Sequence, residues 1–138
     1  QGEHSMDRST LKVLTGDDHM LSRRLVEKQL EVMGFRDIRT ATNGEELLLR
    51  LSQEPYDVVI LDWVMPVKTG MDVLKECRAQ KKFDKIAFVM LSAEAHDNMI
   101  QEAMAAGANG YIVKPVTQAV FEEKMKSVVA WLEKARGG

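Results

Sequence analysis

The sequence predicts an α/β fold in which a five-stranded parallel sheet is flanked by five helices. Five short apolar, β-branched runs alternate along the 138-residue chain with stretches that carry apolar residues at helical spacing. The runs are apolar almost throughout, which is typical of strands covered on both faces. Strands that alternate with helices favour a parallel sheet joined by helical crossovers.

The apolar runs define the strands. In chain order, the predicted strands are Leu11–Leu14, Ile38–Ala41, Asp57–Leu61, Ile86–Leu91 and Tyr111–Val113.

The first predicted helix follows the first strand and ends before Gly34, a residue suited to a helix C-cap. Its apolar positions recur at helical spacing, so we expect them to form the face that packs on the sheet. These positions are Leu21, Leu25, Val26, Leu30, Val32 and Met33.

Four further helices follow the same spacing. The second is predicted over Glu45–Ser52 and stops before Pro55, the third over Met71–Ala79, and the fourth over His96–Ala106 before Gly107. The fifth aligns five apolar residues on one face, namely Phe121, Met125, Val128, Val129 and Leu132.

The length and composition indicate one globular domain. A prior of about 150 residues per domain predicts a single unit, which we place at residues 10–135. Residues 1–9 are interpreted as a tag remnant or disordered leader, and residues 136–138 as a tail. The chain is 45% hydrophobic and 29% charged, and no apolar run approaches the roughly 20 residues that cross a bilayer. We therefore expect a cytoplasmic protein without membrane contact.

Charge and cysteine content exclude two further classes of site. The net charge of −2 argues against a basic surface for nucleic acid. Cys77 is the single cysteine, which leaves no intramolecular disulfide and no cysteine metal cluster. Its place on the apolar stripe of the third helix predicts a buried residue rather than a reactive thiol.

Polar residues follow four of the predicted strands. Asp17 and Asp18 come after the first strand, Asp62 after the third, Ser92 after the fourth and Lys114 after the fifth. Ligands of open parallel sheets bind at the carboxyl ends of the strands, near the topological switch point. The sequence therefore predicts a site with three carboxylates, a hydroxyl and an ammonium group.

This combination suits phosphoryl transfer. Clustered carboxylates need a compensating cation, and hard oxygen ligands suit Mg²⁺. The Lys114 ammonium and the Ser92 hydroxyl match phosphoryl oxygens, which leaves Asp62 to attack phosphorus. Taken singly, the acid pair is better explained as an N-cap with a first-turn acid, and Ser92 and Lys114 as turn residues. Their joint placement favours the site.

Five motifs in order resemble the receiver domains of response regulators, above all the stand-alone CheY type. The resemblance covers about Thr10 to Lys134. The motifs are Asp17-Asp18, Leu61–Pro66, Thr69-Gly70, Leu91–Glu94 and Ala108–Pro115.

The resemblance implies a doubly wound, flavodoxin-like (βα)5 fold and a role for each site residue. Asp62 would accept a phosphoryl group from a sensor histidine kinase or phosphotransfer protein, and Ser92 and Lys114 would hold the phosphoryl oxygens. The domain would catalyse only its own phosphorylation and dephosphorylation. Mg²⁺ would be bound directly by Asp18 and Asp62, with Asp17 contributing through water and the backbone carbonyl of Val64 completing the protein ligands.

The resemblance also implies a switch. Ser92 would move toward the phosphoryl group while Tyr111 turns inward, which changes the surface formed by the fourth helix, the fifth strand and the fifth helix. A downstream protein target would read that surface. The Lys114-Pro115 bond would be a cis peptide.

Two departures from the family pattern bear on the site. Thr15-Gly16 stands where bulky apolar residues usually precede the acid pair, so we expect a looser backbone there. Val64 and Glu94 occupy the positions that tune the lifetime of the phosphoryl group. Because Val64 cannot orient water by hydrogen bonding, we expect slow dephosphorylation.

Three alternatives stay open beside this interpretation. The chain could be a receiver excised from a regulator with a DNA-binding or enzymatic output domain, a Mg²⁺-dependent phosphatase with an aspartate nucleophile, or a degenerate receiver that takes no phosphoryl group.

Trp131 lies beside the apolar stripe of the fifth helix. We interpret it as a partly buried flank, with an exposed anchor for a partner or a homodimer as the alternative.

Overall fold

The computed structural model describes residues 6–137, which fold around one five-stranded parallel sheet. The strand order is β2-β1-β3-β4-β5, so the predicted fold class is confirmed. The strands are β1 (Lys12–Gly16), β2 (Asp37–Ala41), β3 (Val58–Asp62), β4 (Ala87–Ser92) and β5 (Gly110–Val113).

One helix follows each strand, and short 3₁₀ turns lie at Arg8–Thr10 and Lys81–Phe83. Within residues 6–137, none of the helices has the length and apolar character needed to cross a membrane. The helices are α1 (Met20–Val32), α2 (Gly44–Gln53), α3 (Gly70–Arg78), α4 (Asp97–Ala105) and α5 (Gln118–Ala135).

The sheet separates two apolar cores. Side chains of α2, α3 and α4 pack on one face, and those of α1 and α5 pack on the other. Cys77 lies in the first core, where burial raises the pKa of its thiol to about 12. The prediction of a buried cysteine is therefore confirmed. The predicted apolar stripe of the fifth helix is fully buried in the second core.

Three strands extend further toward the site than predicted. β1 continues through Thr15 and Gly16, β3 ends on Asp62 and β4 ends on Ser92. The apolar pattern stops before these residues, but the ladder of backbone hydrogen bonds does not depend on side-chain polarity.

The expected looseness at Thr15-Gly16 is wrong. Both residues are buried in β1, where Gly16 pairs with Ala41 on one side and Leu61 on the other. A Cβ atom at Gly16 would collide with Leu47. The missing side chain therefore allows α2 to approach the sheet closely. Asp17 and Asp18 directly follow a strand that is paired on both sides.

The predicted face of α1 is wrong in part. Leu21, Leu25 and Val32 are 81%, 47% and 64% exposed, whereas Val26, Leu30 and the polar Gln29 are buried. The side-chain amide nitrogen of Gln29 donates to the Val116 carbonyl at 2.8 Å, while its buried Oε1 atom has no hydrogen-bond partner among the described residues. This rotation of α1 leaves part of its apolar surface in solvent.

The proposed leader and tail are more ordered than expected. The backbone amide of Met6 donates to Glu133 at 2.6 Å, and Asp7 caps the first 3₁₀ turn through the amide of Ser9. In the proposed tail, Arg136 pairs with Asp57 at the opposite end of the sheet from the site. Met6 and Arg136 therefore contact the folded domain, and the predicted domain bounds stay a prediction. Residues 1–5 and 138 lie outside the described part of the chain.

Candidate functional site

The candidate site lies at the carboxyl edge of the sheet. Asp17 follows β1, Asp62 ends β3, Ser92 ends β4 and Lys114 follows β5. Strand order reverses between β1 and β3, so Asp17 and Asp62 flank the topological switch point where open α/β sheets bind ligands. The fold therefore brings together residues that are up to 97 positions apart in the chain.

The ammonium group of Lys114 joins two of the carboxylates. Its Nζ atom pairs with Asp62 and lies 3.3 Å from Oδ2 of Asp17. Its backbone amide donates to the Ser92 carbonyl at 2.8 Å, which extends the ladder between β4 and β5 by one bond. The Lys114-Pro115 bond is cis, as predicted.

The pKa values of the two carboxylates shift in opposite directions. Burial raises the pKa of Asp62, although hydrogen bonds from Lys114 and the Val64 amide oppose that increase. Burial also acts to raise the pKa of Asp17, but hydrogen bonds from Ser22 and the His19 amide, with the charge of Lys114, outweigh it and lower that pKa. The fold therefore compensates the cost of burying the ionised carboxylate less fully for Asp62 than for Asp17.

Burial shifts the pKa of Lys114 downward, whereas it shifts the pKa values of its two carboxylate partners upward. Burial lowers the pKa of its ammonium group, but the hydrogen bond and the charge of Asp62, together with Asp17, raise it overall. Lys114 is therefore a permanent cation at neutral pH, available to a phosphoryl oxygen.

The segment after Asp62 is tightly folded. The amide of Lys68 donates to the Pro66 carbonyl at 2.9 Å across Val67, whose φ is +72°. This is a γ-turn, and it is strained because a β-branched residue is disfavoured at positive φ. The turn returns the chain to Gly70, whose amide bonds the Trp63 carbonyl at 2.9 Å.

The position after the turn, residue 70, requires a glycine. A Cβ atom there would collide with the Asp62 carbonyl, so any side chain would push the acceptor strand aside. Thr69 begins α3 through a capping box with Asp72. The Thr69-Gly70 motif therefore fixes the backbone on which Asp62 is placed.

Asp18 lies apart from the other two carboxylates. Its side chain is 35% exposed and lies 3.8 Å from the His19 ring. Within residues 6–137, no three carboxylate, histidine or cysteine side chains are grouped closely enough to hold a metal ion. The donors predicted for Mg²⁺ are nevertheless carboxylate oxygens of the type this ion prefers. In this structure the Lys114 ammonium is the cation that joins Asp17 to Asp62.

The predicted switch residues are connected through Glu94. The Ser92 hydroxyl accepts a hydrogen bond from the Glu94 amide, and the Tyr111 hydroxyl donates to the Glu94 carbonyl, each at 3.0 Å. Tyr111 is 6% exposed and meets the ring of Trp63 edge-on, with 6.4 Å between centroids. Tyr111 is therefore in an inward position, next to the residue that follows Asp62.

The two predicted lifetime positions lie at the rim. Val64 is 74% exposed, while its amide donates to Oδ1 of Asp62 at 3.0 Å. The Glu94 carboxylate pairs with the His96 ring at 2.9 Å, on the solvent side of the β4–α4 connection. The Val64 side chain therefore lies in solvent next to Asp62, and the Glu94 carboxylate is held at the surface by His96.

Two residues of α1 that contact the site were missed by sequence reasoning. The Ser22 hydroxyl lies 3.2 Å from Nζ of Lys114, and a guanidinium nitrogen of Arg23 donates to the Asp17 carbonyl at 2.9 Å. Their positions, five and six residues after Asp17 in the first turn of the next helix, were the available signal. Serine and arginine are too common at exposed helix positions for that signal to be recognised.

Comparison with known proteins agrees with this geometry. The response regulator receiver domain family matches residues 13–126. Chemotaxis protein CheY-3 of Vibrio cholerae serotype O1 is 39% identical over 118 residues, which are 86% of this chain and 91% of that protein.

Solved structures show the same fold. The chemotaxis response regulator CheY4 of Vibrio cholerae is similar with a TM-score of 0.79 and 33% identity, over 86% of this chain and 98% of that one. CheY of Borrelia burgdorferi, in a complex with CheX, BeF3 and Mg²⁺, gives a TM-score of 0.79 and 28% identity, over 86% and 88% of the two chains. The chain therefore belongs to the response regulator receiver domain family, as a CheY-like receiver of two-component signalling.

Proposed function

We propose that Asp62 accepts a phosphoryl group from a phosphohistidine of a sensor histidine kinase or phosphotransfer protein. The observation that carries this proposal is the pairing of Lys114 with a buried carboxylate at the end of the central strand β3. A carboxylate oxygen of Asp62 would attack phosphorus in line, the bond from phosphorus to the imidazole nitrogen would break, and the imidazole would leave with that electron pair. The chain would catalyse only its own phosphorylation and dephosphorylation.

The other site residues would stabilise the transferred group. Lys114 would exchange its contact with the Asp62 carboxylate for one with a phosphoryl oxygen, and the Ser92 hydroxyl would donate to another. Mg²⁺ bound by Asp17, Asp18, Asp62 and the Val64 carbonyl would neutralise the clustered negative charge. Carboxylate donors fit this ion, and the magnesium in the Borrelia burgdorferi CheY complex supports its use here.

The output is proposed to be a protein contact of the face formed by α4, β5 and α5. Ser92 and Tyr111 meet at Glu94 just before α4, so a change at the site reaches this face through a short path. Met104, Val113 and Val120 supply exposed apolar side chains there. The complex of the Borrelia burgdorferi CheY with CheX supports a protein target. A homodimer through the same face stays a prediction, as does the absence of direct nucleic-acid contact.

Intact mass spectrometry after incubation with acetyl phosphate and Mg²⁺ tests the phosphoryl transfer. We expect one added phosphoryl group, which hydroxylamine removes because an acyl phosphate is an activated acid derivative. Chelation of the metal before the donor is added should prevent the gain, because uncompensated carboxylates repel an anionic donor. An unmodified protein with every donor tried, phosphohistidine included, would contradict the proposal and favour a degenerate receiver.

The lifetime of the phosphoryl group is expected to depend on position 64. A Val64→Asn variant presents an amide that orients attacking water, whereas valine only crowds it. We expect loss of the phosphoryl group from the variant to be faster, by roughly tenfold for one added hydrogen bond. The decay of the phosphorylated mass after donor removal measures this rate, and Val67→Asn in the neighbouring turn is the matched control. An equal decay in the parent and Val64→Asn would show that Val64 does not set the lifetime.

A further inference from the structure

The Lys114 ammonium has a third partner, which the phosphoryl-transfer chemistry does not assign. Its Nζ atom lies 3.2 Å from the Ser22 hydroxyl, in addition to its contacts with Asp17 and Asp62. An ammonium group has three donors, so these three oxygens satisfy all of them. We propose that Ser22 is a positioning residue that holds Lys114 at the site while the two carboxylates change partners.

The need for such a residue follows from the proposed function, on which this inference rests. When Asp62 carries a phosphoryl group, the oxygen that attacked phosphorus is part of an acyl phosphate and no longer a full anion. Asp17 is a predicted ligand of Mg²⁺ and would then share its charge with the metal. The Ser22 hydroxyl is neutral and is not itself a ligand of the metal or of the phosphoryl group. It donates to Asp17 and keeps an oxygen beside Nζ when the two carboxylates are engaged.

A lysine without such a partner is poorly placed. Its four-carbon stem has many rotamers, and ordering it costs conformational entropy. Lys114 is 21% exposed, so water competes for its ammonium group. A fixed hydroxyl beside Nζ reduces the number of orientations that remain when the carboxylates are engaged elsewhere.

The structure fixes Ser22 relative to Lys114. Gln29 lies seven residues after Ser22, two helical turns along the same face of α1. Its side-chain amide nitrogen donates to the Val116 carbonyl at 2.8 Å, and its backbone carbonyl accepts from the Gln118 side chain at 3.1 Å. These two bonds fasten α1 to the segment that follows Lys114, so the distance from Ser22 to Nζ is set by the fold.

The first test is the initial rate of phosphorylation by acetyl phosphate in the presence of Mg²⁺. We expect Ser22→Ala to be slower by about tenfold, the scale of one hydrogen bond to a charged group. Ser22→Thr keeps the hydroxyl and should stay within about twofold of the parent. Ser127→Ala, an exposed serine on α5, is the control and should match the parent. A parental rate for Ser22→Ala would overturn the proposal.

The second test asks whether Ser22 acts through Lys114. In a Lys114→Met background, the further change Ser22→Ala should reduce the residual rate by much less than tenfold, because the group that it positions is gone and only its bond to Asp17 is lost. The same tenfold loss in both backgrounds would overturn the positioning role.

A metal-free measurement separates this inference from the proposed function. Chemical unfolding of the parent, both single variants and the double variant, without Mg²⁺ or donor, gives the coupling between Ser22 and Lys114. Non-additive losses support the contact, and strictly additive losses overturn it. If the parent took no phosphoryl group, the proposed function would fall, and this cycle would still decide whether Ser22 holds Lys114.

Discussion

An Asp62→Asn variant is expected to gain no phosphoryl group from acetyl phosphate and Mg²⁺ under conditions in which the parent gains one. Asparagine has nearly the shape of aspartate, but its amide oxygen is a very weak nucleophile and forms no stable acyl phosphate. The loss should therefore be complete, which makes this the largest functional effect that a single substitution in the chain is expected to have.

The fold of Asp62→Asn should persist. Burial raises the pKa of Asp62, which means that the protein bears a cost for the ionised form, and a neutral amide removes that cost. Lys114 loses one carboxylate partner but keeps Asp17 and Ser22. Circular dichroism and a cooperative unfolding transition check that the variant is folded before its mass is compared with that of the parent.

Asp84→Asn is the matched control for this comparison. Asp84 is exposed and lies just before β4, at the edge of the sheet opposite the site. It should be phosphorylated like the parent. A phosphoryl group on Asp62→Asn at the parental level would place the acceptor elsewhere and refute the assignment of Asp62.

An Arg78→Ala variant is expected to lose about 3 kcal/mol or more of unfolding free energy, a large part of what holds a domain of this size together. The Arg78 guanidinium ends α3 and donates to four oxygen atoms at distances between 2.8 and 3.0 Å. The acceptors are the carbonyls of Phe83, Ile86 and Gly107 and the side-chain oxygen of Asn109.

Deletion of this side chain would take the side-chain donor from the Gly107 and Ile86 carbonyls, whereas the Phe83 carbonyl and the Asn109 side chain would still accept from the amides of Ile86 and Phe88. The guanidinium also lies over the ring of Phe88, 4.8 Å from its centroid, and such a contact adds a favourable cation–π interaction. Lysine cannot replace the planar fork of donors, so Arg78→Lys should recover only a small part of the loss.

Urea-induced unfolding measures the effect of Arg78→Ala. Arg24→Ala, on the exposed side of α1, is the control and should change the unfolding free energy by no more than about 0.5 kcal/mol. A loss in Arg78→Ala no greater than that of the control would show that the four hydrogen bonds add little net stability.

Sequence patterns predicted the strands, the helices and the approximate place of the site, because burial of apolar side chains decides these features. They failed where polar residues serve the fold. Arg78 resembles any basic residue in the last turn of a helix, and Gln29 resembles an exposed position on α1. Gln29 donates to the Val116 carbonyl, and Arg78 donates to three backbone carbonyls outside its helix. These tertiary contacts leave no trace in local spacing.

Sequence patterns predicted the site only in part, for the same reason. Its four principal residues could be predicted because parallel strands bring their carboxyl ends to one edge. The contact of Ser22 with Lys114 could not, because it depends on the rotation of α1, which the apolar pattern predicts wrongly. Similarly, spacing alone did not reveal that Tyr111 and Trp63 meet edge-on.

The edge-on contact between Trp63 and Tyr111 has an optical consequence. The chain contains two tryptophans, and Trp63 directly follows Asp62, whereas Trp131 lies on α5 near Arg78. A Trp131→Phe variant therefore has a single indole chromophore, located between the acceptor and Tyr111. Its emission spectrum reports on both ends of the proposed switch at once, without an attached dye.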